Sequence, residues 1–349
     1  MQPSDSDDPA IEALRGVAAL LVVLTHYMHF LTLTPGLWAF ASTGVDLFFV
    51  ISGFVFAPYF SARPLQLAPF FVRRFFRMYP LYVCALLVYV ALKPAGTGAW
   101  AEVPAHLLMG HTLQSVAIAS YYNPAFWSLP PELEFYLLLP LLAPLCRRFG
   151  LGVLLAAGLA VHLLLVALSI PANPEVTTWV IAMVHAPGLL IEFLLGVLSW
   201  RLLGVRPRDL LLAMSSLILV FAMFLFSQHL PSPGLANGRA GWWVGGNIGL
   251  TAATGYALML AALAGIRLCR KPRWQPLCLW AGRLSYGTYL LHNAAPPVLS
   301  RLAPGLTGLP ALLACLSLTL LAAWAAHVFI EAPSRRFGRR LAARLSTSV

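Results

Sequence analysis

The chain has 349 residues, of which 60 % are hydrophobic and 10 % charged, with a formal net charge of +11. A soluble domain carries about 25 % charged residues, and a folded chain of this size still leaves roughly a quarter of its unfolded surface in water. The composition therefore excludes a soluble enzyme, a disordered protein and a nucleic-acid binder, and leaves one polytopic membrane domain over residues 1–349.

The amino-terminal stretch MQPSDSDDPA (1–10) is acidic and lacks the basic start of a cleaved signal peptide. The first apolar run, about 11–30, is therefore expected to stay as a helix. It carries Arg15 and His26, eleven residues apart. That is three helical turns, so the two share one face about 16 Å apart along the axis. Arg15, near one end, can also be explained by snorkelling. The second run, 45–61, opens GVDLFFVISGF and returns across the bilayer, which brings Asp46 to the depth of His26. A lone carboxylate beside Phe48, Phe49 and Val50 is costly. The expectation is a His26–Asp46 pair, an oriented general base; the alternative is an ion pair that locks the first two helices.

FFVRRFFRMYP reads as a loop at the opposite end, ahead of the third run, 78–93, and supplies Arg73, Arg74 and Arg77. Guanidinium forks bind phosphates bidentately, and Phe75 and Phe76 between them suit a phosphorylated donor with an aromatic base. Positive-inside anchoring competes with this reading. Segment 103–123, with His106, His111, Gln114 and Tyr121-Tyr122-Asn123, is too polar for a span and is expected to be re-entrant or surface-lying. The fourth run, 133–146, starts FWSLPPELEFYLLLP. Glu132 and Glu134 suit the first turn after Pro130-Pro131, where carboxylates favour the helix dipole. One of them is a candidate to orient substrate, or His26 beside Asp46.

The remaining apolar runs, 151–170, 178–200, 209–228, 243–266, 280–299 and 310–330, bring the expected count to ten. His292 reads as structural, and Glu331 as half of an i,i+4 salt bridge with Arg335. With both termini in the cytoplasm, nearly all loop arginines and the basic tail 335–349 fall inside, and only Lys93, Arg239 and Arg301 fall outside. The fold class is thus an all-α bundle of about ten transmembrane helices. The five cysteines include no CxxC pair, so no zinc site is expected.

LRGVAALLVVLTHY, GVDLFFVISGF, FVRRFFRMYPLY and FWSLPPELEFYLLLP, followed by AGRLSYGTYLLH and FIEAPSRRF, resemble in order the motifs of the membrane acyltransferase family 3, also called O-antigen acetylase-like. The resemblance implies a ten-helix enzyme of the bacterial inner membrane. Its donor would be cytoplasmic acyl-coenzyme A, acetyl-coenzyme A above all, with no metal. Its acceptor would be a hydroxyl of a glycan, a lipid-linked sugar or a glycosylated metabolite. His26 takes the place of the family's essential histidine, Asp46 of its motif acid, and Glu132 of the acid in SLxxE. Arg15, Arg73, Arg74 and Arg77 would hold the donor. Trp127, Ser128, Glu134 and Tyr136 would line the substrate site. Partners are then donor, acceptor and membrane lipid, with no nucleic acid; a homo-oligomer is left open. The alternative is a proton-coupled transporter or flippase of a sugar or lipid, using the same ionisable residues as a relay.

Overall fold

The computed structural model describes residues 8–31, 36–61, 63–93, 98–113, 116–169, 177–229, 238–264 and 266–347. The acidic stretch 1–7, Gln114 and the side chains of Arg239 and Arg267 lie outside the described residues. Regular structure among the described residues is entirely helical. The long helices are α1 (Pro9–Tyr27), α2 (Gly44–Ser61), α3 (Leu67–Leu92), α4 (Leu129–Phe149) and α5 (Leu151–Ser169). They continue with α6 (Thr177–Val184), α7 (Ala186–Arg201), α8 (Arg208–His229) and α9 (Gly238–Leu263). The carboxy-terminal part holds α10 (Gln275–Leu291), α11 (Ala295–Leu302), α12 (Gly308–Ala326) and α13 (Ala332–Thr347). Asp8 caps α1, its carboxylate accepting from Ala10 N at 2.9 Å beside Pro9 in the first turn.

Among the described residues nine helices are long and apolar enough to cross a membrane. The expected tenth run, 280–299, is two shorter pieces: α10 has 17 residues, a 3₁₀ turn covers His292–Ala294, and α11 has 8 residues. Pro296 and Pro297, which cannot donate to a continuing helix, stand just beyond the break. Carbonyls freed by a break inside a bundle need donors, and aromatic hydroxyls supply them. Tyr89 Oη and Asn123 Nδ2 donate to Leu290 O (2.9 and 3.0 Å), and Tyr27 Oη donates to His292 O (2.5 Å). Segment 103–123 forms helices of five residues or fewer, too short to cross. Tyr79 and Tyr82 of α3 dock it by donating to Leu107 O and His106 O.

The arginine motif is not a loop, as its polarity suggested. Leu67–Leu92 is one helix, and Phe70, Arg73, Arg74 and Arg77 fall on one face of its first turns. The π turn His327–Glu331 joins α12 to α13, which lies along α3. There Ser334 Oγ donates to Phe76 O (2.8 Å) and Phe337 meets Phe76 edge-on. The predicted Glu331–Arg335 bridge is present at 3.2 Å. Leu164, Leu217, Phe221 and Leu321 point outward, apolar surface that suits lipid rather than water.

At the centre, α2 crosses α7 with the backbones almost touching. A Cβ on Gly53 would fall 1.8 Å from Phe193 O, and one on Gly196 2.0 Å from Val50 O. Lipid tails offer no hydrophobic drive between helices, so close small-residue contact does that work. Gly196→Val should therefore lower stability by at least about 1–3 kcal/mol, read as melting temperature in detergent; an unchanged melting temperature would refute this contact.

Candidate active site

Five helices, α1, α2, α3, α4 and α10, surround a cavity holding about 830 Å³ of empty space, open solvent at its mouth included. Helical spacing decides which face of α2 enters it. Val45, Phe48, Ser52 and Val55 line the cavity at i, i+3, i+7 and i+10, whereas Val50 and Gly53 turn toward α7. Asp46 stands one turn before Val50, on that second face.

The cavity wall carries polar groups at fixed places. Glu132 accepts from Tyr136 Oη in a very short contact and from Ser52 Oγ at 3.4 Å. Arg74 lies over the Phe56 ring at 5.0 Å and within about 6 Å of the Tyr136 ring, a cation–π seat suited to a desolvated guanidinium. Arg77 lies in the field of Glu12, Glu132 and Glu331. Arg15, also on the wall, is held by Glu12 at 2.5 Å.

A second pocket adjoins this cavity and shares Arg15, Val55, Phe56, Arg74 and Arg77 with it. It adds Arg63 and Arg73, together with Arg335 and Arg339 from α13, and the acids of its described lining are Asp8 and Glu12. Seven guanidinium groups around one vestibule make a strong anion site. The sequence singled out four of them; Arg335 and Arg339 were hidden in a tail that reads as ordinary positive-inside anchoring.

At its other end the cavity stops at Val45, Phe48, Ser128 and Tyr289. The Phe48 and Tyr289 rings meet edge-on at 5.6 Å, and Tyr289 is fixed by Ser128 Oγ (2.7 Å) and Ala125 O (2.8 Å). Beyond Tyr289 stands His292, ring centroids 6.2 Å apart, and next to it His26. His26 Nδ1 lies 2.9 Å from Val22 O and 3.2 Å from His292 Nε2. His292 Nδ1 in turn lies 2.7 Å from Tyr289 O.

The expected His26–Asp46 pair is not formed. Asp46 hydrogen-bonds Glu192 of α7, next to Gly249 of α9, while the His26 ring is engaged by Val22 and His292. The sequence placed the two at one depth, but α2 begins at Gly44 against Ala18, Leu21 and Val22 of α1, so Asp46 lies further in than His26, and helical phase sends the two side chains to different neighbours. Glu192, a single carboxylate in an apolar run, was the available signal for Asp46's partner. Two carboxyls bond each other only when one carries a proton, so an amide can replace one of them. Asp46→Asn should keep turnover and melting temperature near wild type. Asp46→Leu, by leaving the 1 %-exposed Glu192 carboxyl without its hydrogen-bond partner, should cost about 1–3 kcal/mol. Loss of turnover in a fully stable Asp46→Asn protein would restore Asp46 to the chemistry.

Glu134 is also engaged elsewhere: its Oε1 meets His185 Nδ1 and its Oε2 accepts from Ala186 N, both at 2.6 Å, at the start of α7. Ser128 and Tyr136 line the cavity, while Trp127 packs edge-on against Phe49 at 6.2 Å. His106 and His111 are fully buried and stacked, ring centroids 4.3 Å apart. Burial lowers both, His111 to about 4, which keeps them neutral. Among the described residues no group of three or more His, Cys, Asp and Glu is placed to hold a metal ion.

Acyltransferase MdmB of Streptomyces mycarofaciens is 30 % identical over 249 residues, 59 % of this chain and 62 % of that protein. Nodulation protein 10 of Rhizobium leguminosarum bv. viciae is 29 % identical over 329 residues, 80 % of this chain and 81 % of that protein. Protein 2 in picA locus of Rhizobium radiobacter is 41 % identical over 85 residues, 23 % of this chain and 43 % of that protein. No solved structure matches the chain. A vestibule of guanidinium groups opening into a membrane-embedded cavity with a carboxylate on its wall suits group transfer from an anionic donor, and residues 8–328 match the family model described as an acyltransferase domain: the chain belongs to that acyltransferase family.

Proposed function

We propose that the protein moves an acyl group, acetyl in the first instance, from cytoplasmic acyl-coenzyme A to a hydroxyl of a carbohydrate, lipid-linked glycan or glycosylated metabolite. The observation that carries this reading is the continuity of the arginine vestibule with the cavity through Arg15, Arg74 and Arg77. Donor phosphates bind Arg73, Arg335 and Arg339, and the pantetheine arm passes Arg15 and Arg77 toward Glu132. The vestibule faces the cytoplasm of the inner membrane in this proposal, as the loop charges favour, and the acceptor approaches from the His26 side. The thioester reaches His26 when the Phe48–Tyr289 contact opens. His26 takes the proton of the acceptor hydroxyl while its oxygen attacks the thioester carbonyl; the C–S bond breaks, and the thiolate leaves and recovers the proton.

The test uses membranes containing the protein and labelled acetyl-coenzyme A. Thiol release and label transfer that depend on His26 support the reading. A transporter using the same residues releases no thiol, and that result would overturn it.

A further inference from the structure

His26 needs a partner that sets its ring, and Asp46 does not supply one. The carbonyls around the two imidazoles decide where their protons sit. A carbonyl oxygen only accepts, so the 2.7 Å contact of Tyr289 O fixes the hydrogen of neutral His292 on Nδ1. Its Nε2 is then a bare lone pair, 3.2 Å from His26 Nδ1. Val22 O, 2.9 Å from the same nitrogen, also only accepts. Both contacts demand a hydrogen on His26 Nδ1, which leaves its Nε2 as the basic nitrogen. No described residue bonds that nitrogen. We propose that His292 is the positioning residue of His26: its Nε2 accepts the Nδ1–H of His26, holds the ring and supports the imidazolium formed when Nε2 takes the acceptor proton.

The proton stays on His26, and none passes to His292. The surroundings keep His292 in place. It is fully buried, its own carbonyl accepts from Tyr27 Oη at 2.5 Å, and Tyr27 Oη in turn accepts from Thr319 Oγ1 at 2.6 Å. His292 ends α10 with helical dihedrals and its N–H on Thr288 O, so α10 carries the ring to this place and the 3₁₀ turn follows it. This inference rests on the base role of His26 given above.

Two measurements test it. In detergent-solubilised protein with ¹⁵N-histidine, two-bond proton–nitrogen spectra should show His26 and His292 both as Nδ1–H tautomers, assigned by the signals lost in His26→Ala and His292→Gln. A hydrogen on His292 Nε2 would reverse the bond and overturn the proposal. In membranes, with acetyl-coenzyme A as donor and thiol release as the readout, His292→Leu should lower kcat on the order of 100-fold and leave the donor KM unchanged. His292→Gln, whose Oε1 can still accept, should restore at least about a tenth of kcat. Equal loss in the two variants, or a change in KM alone, overturns it. Undiminished turnover in His26→Ala would instead strike the earlier reading, and the tautomer result would still stand by itself.

Discussion

His26→Ala should abolish acyl transfer while the protein still folds into the membrane. Among the described residues the ring bonds only Val22 O, within its own helix, and His292 Nε2. Truncation strands one buried acceptor, a cost of about 1–3 kcal/mol, and leaves the α2–α7 crossing intact. Turnover has no such reserve. On the proposed chemistry the acceptor hydroxyl loses its only base, and general-base catalysis is worth about 10²–10⁴-fold. The comparison to make is kcat from thiol release beside melting temperature in detergent. A 100-fold or greater loss in a protein that still unfolds cooperatively, its melting temperature lowered by no more than that cost implies, is the expected result. Turnover near wild type would remove His26 from the mechanism.

Arg73→Gln should raise the KM for acetyl-coenzyme A by about 10- to 100-fold and leave the acceptor KM unchanged. Hydrogen bonds to charged groups contribute about 1.5–3 kcal/mol, which is that range in affinity. Arg73 lines the vestibule and not the inner cavity, so its loss spares the wall formed by Glu132 and Tyr136. Arg335→Gln should act in the same direction from α13, weakened by the loss of its bridge to Glu331. Lysine in place of Arg73 keeps the charge but not the planar fork and should fall between the two. Equal changes in both KM values would argue against phosphate docking.

Much of the architecture was legible because bilayer thickness and loop charge are strong constraints on sequence. Runs such as 151–170 and 209–228 read as spans and fold as α5 and α8. The break at His292 was harder to see, since LSYGTYLLHNAAPPVL is as apolar as a continuous span and only Pro296-Pro297 marks it. In the site, neither the depth nor the phase of the expected pair was legible. Gly44 packs against Ala18, Leu21 and Val22 of α1, so Asp46 sits further in than His26, and each residue along α2 turns a side chain by about 100°, which gives Asp46 to Glu192. His292 was undervalued because nothing in linear spacing reports a contact across 266 positions. Glu132 was found because a carboxylate after two prolines is rare in an apolar run, and its place on the cavity wall follows from the start of α4.

The edge contact of Phe48 with Tyr289 has a cost and a benefit for the cell. An aqueous passage from the vestibule to the His26 side would leak ions through any membrane that holds the protein. Two aromatic rings in edge contact, with Val45 beside them, set apolar surface between the cavity and His26. On the proposed mechanism, insulation at rest and chemistry during turnover rest on the same pair of side chains, which would part for a thioester without admitting a file of water.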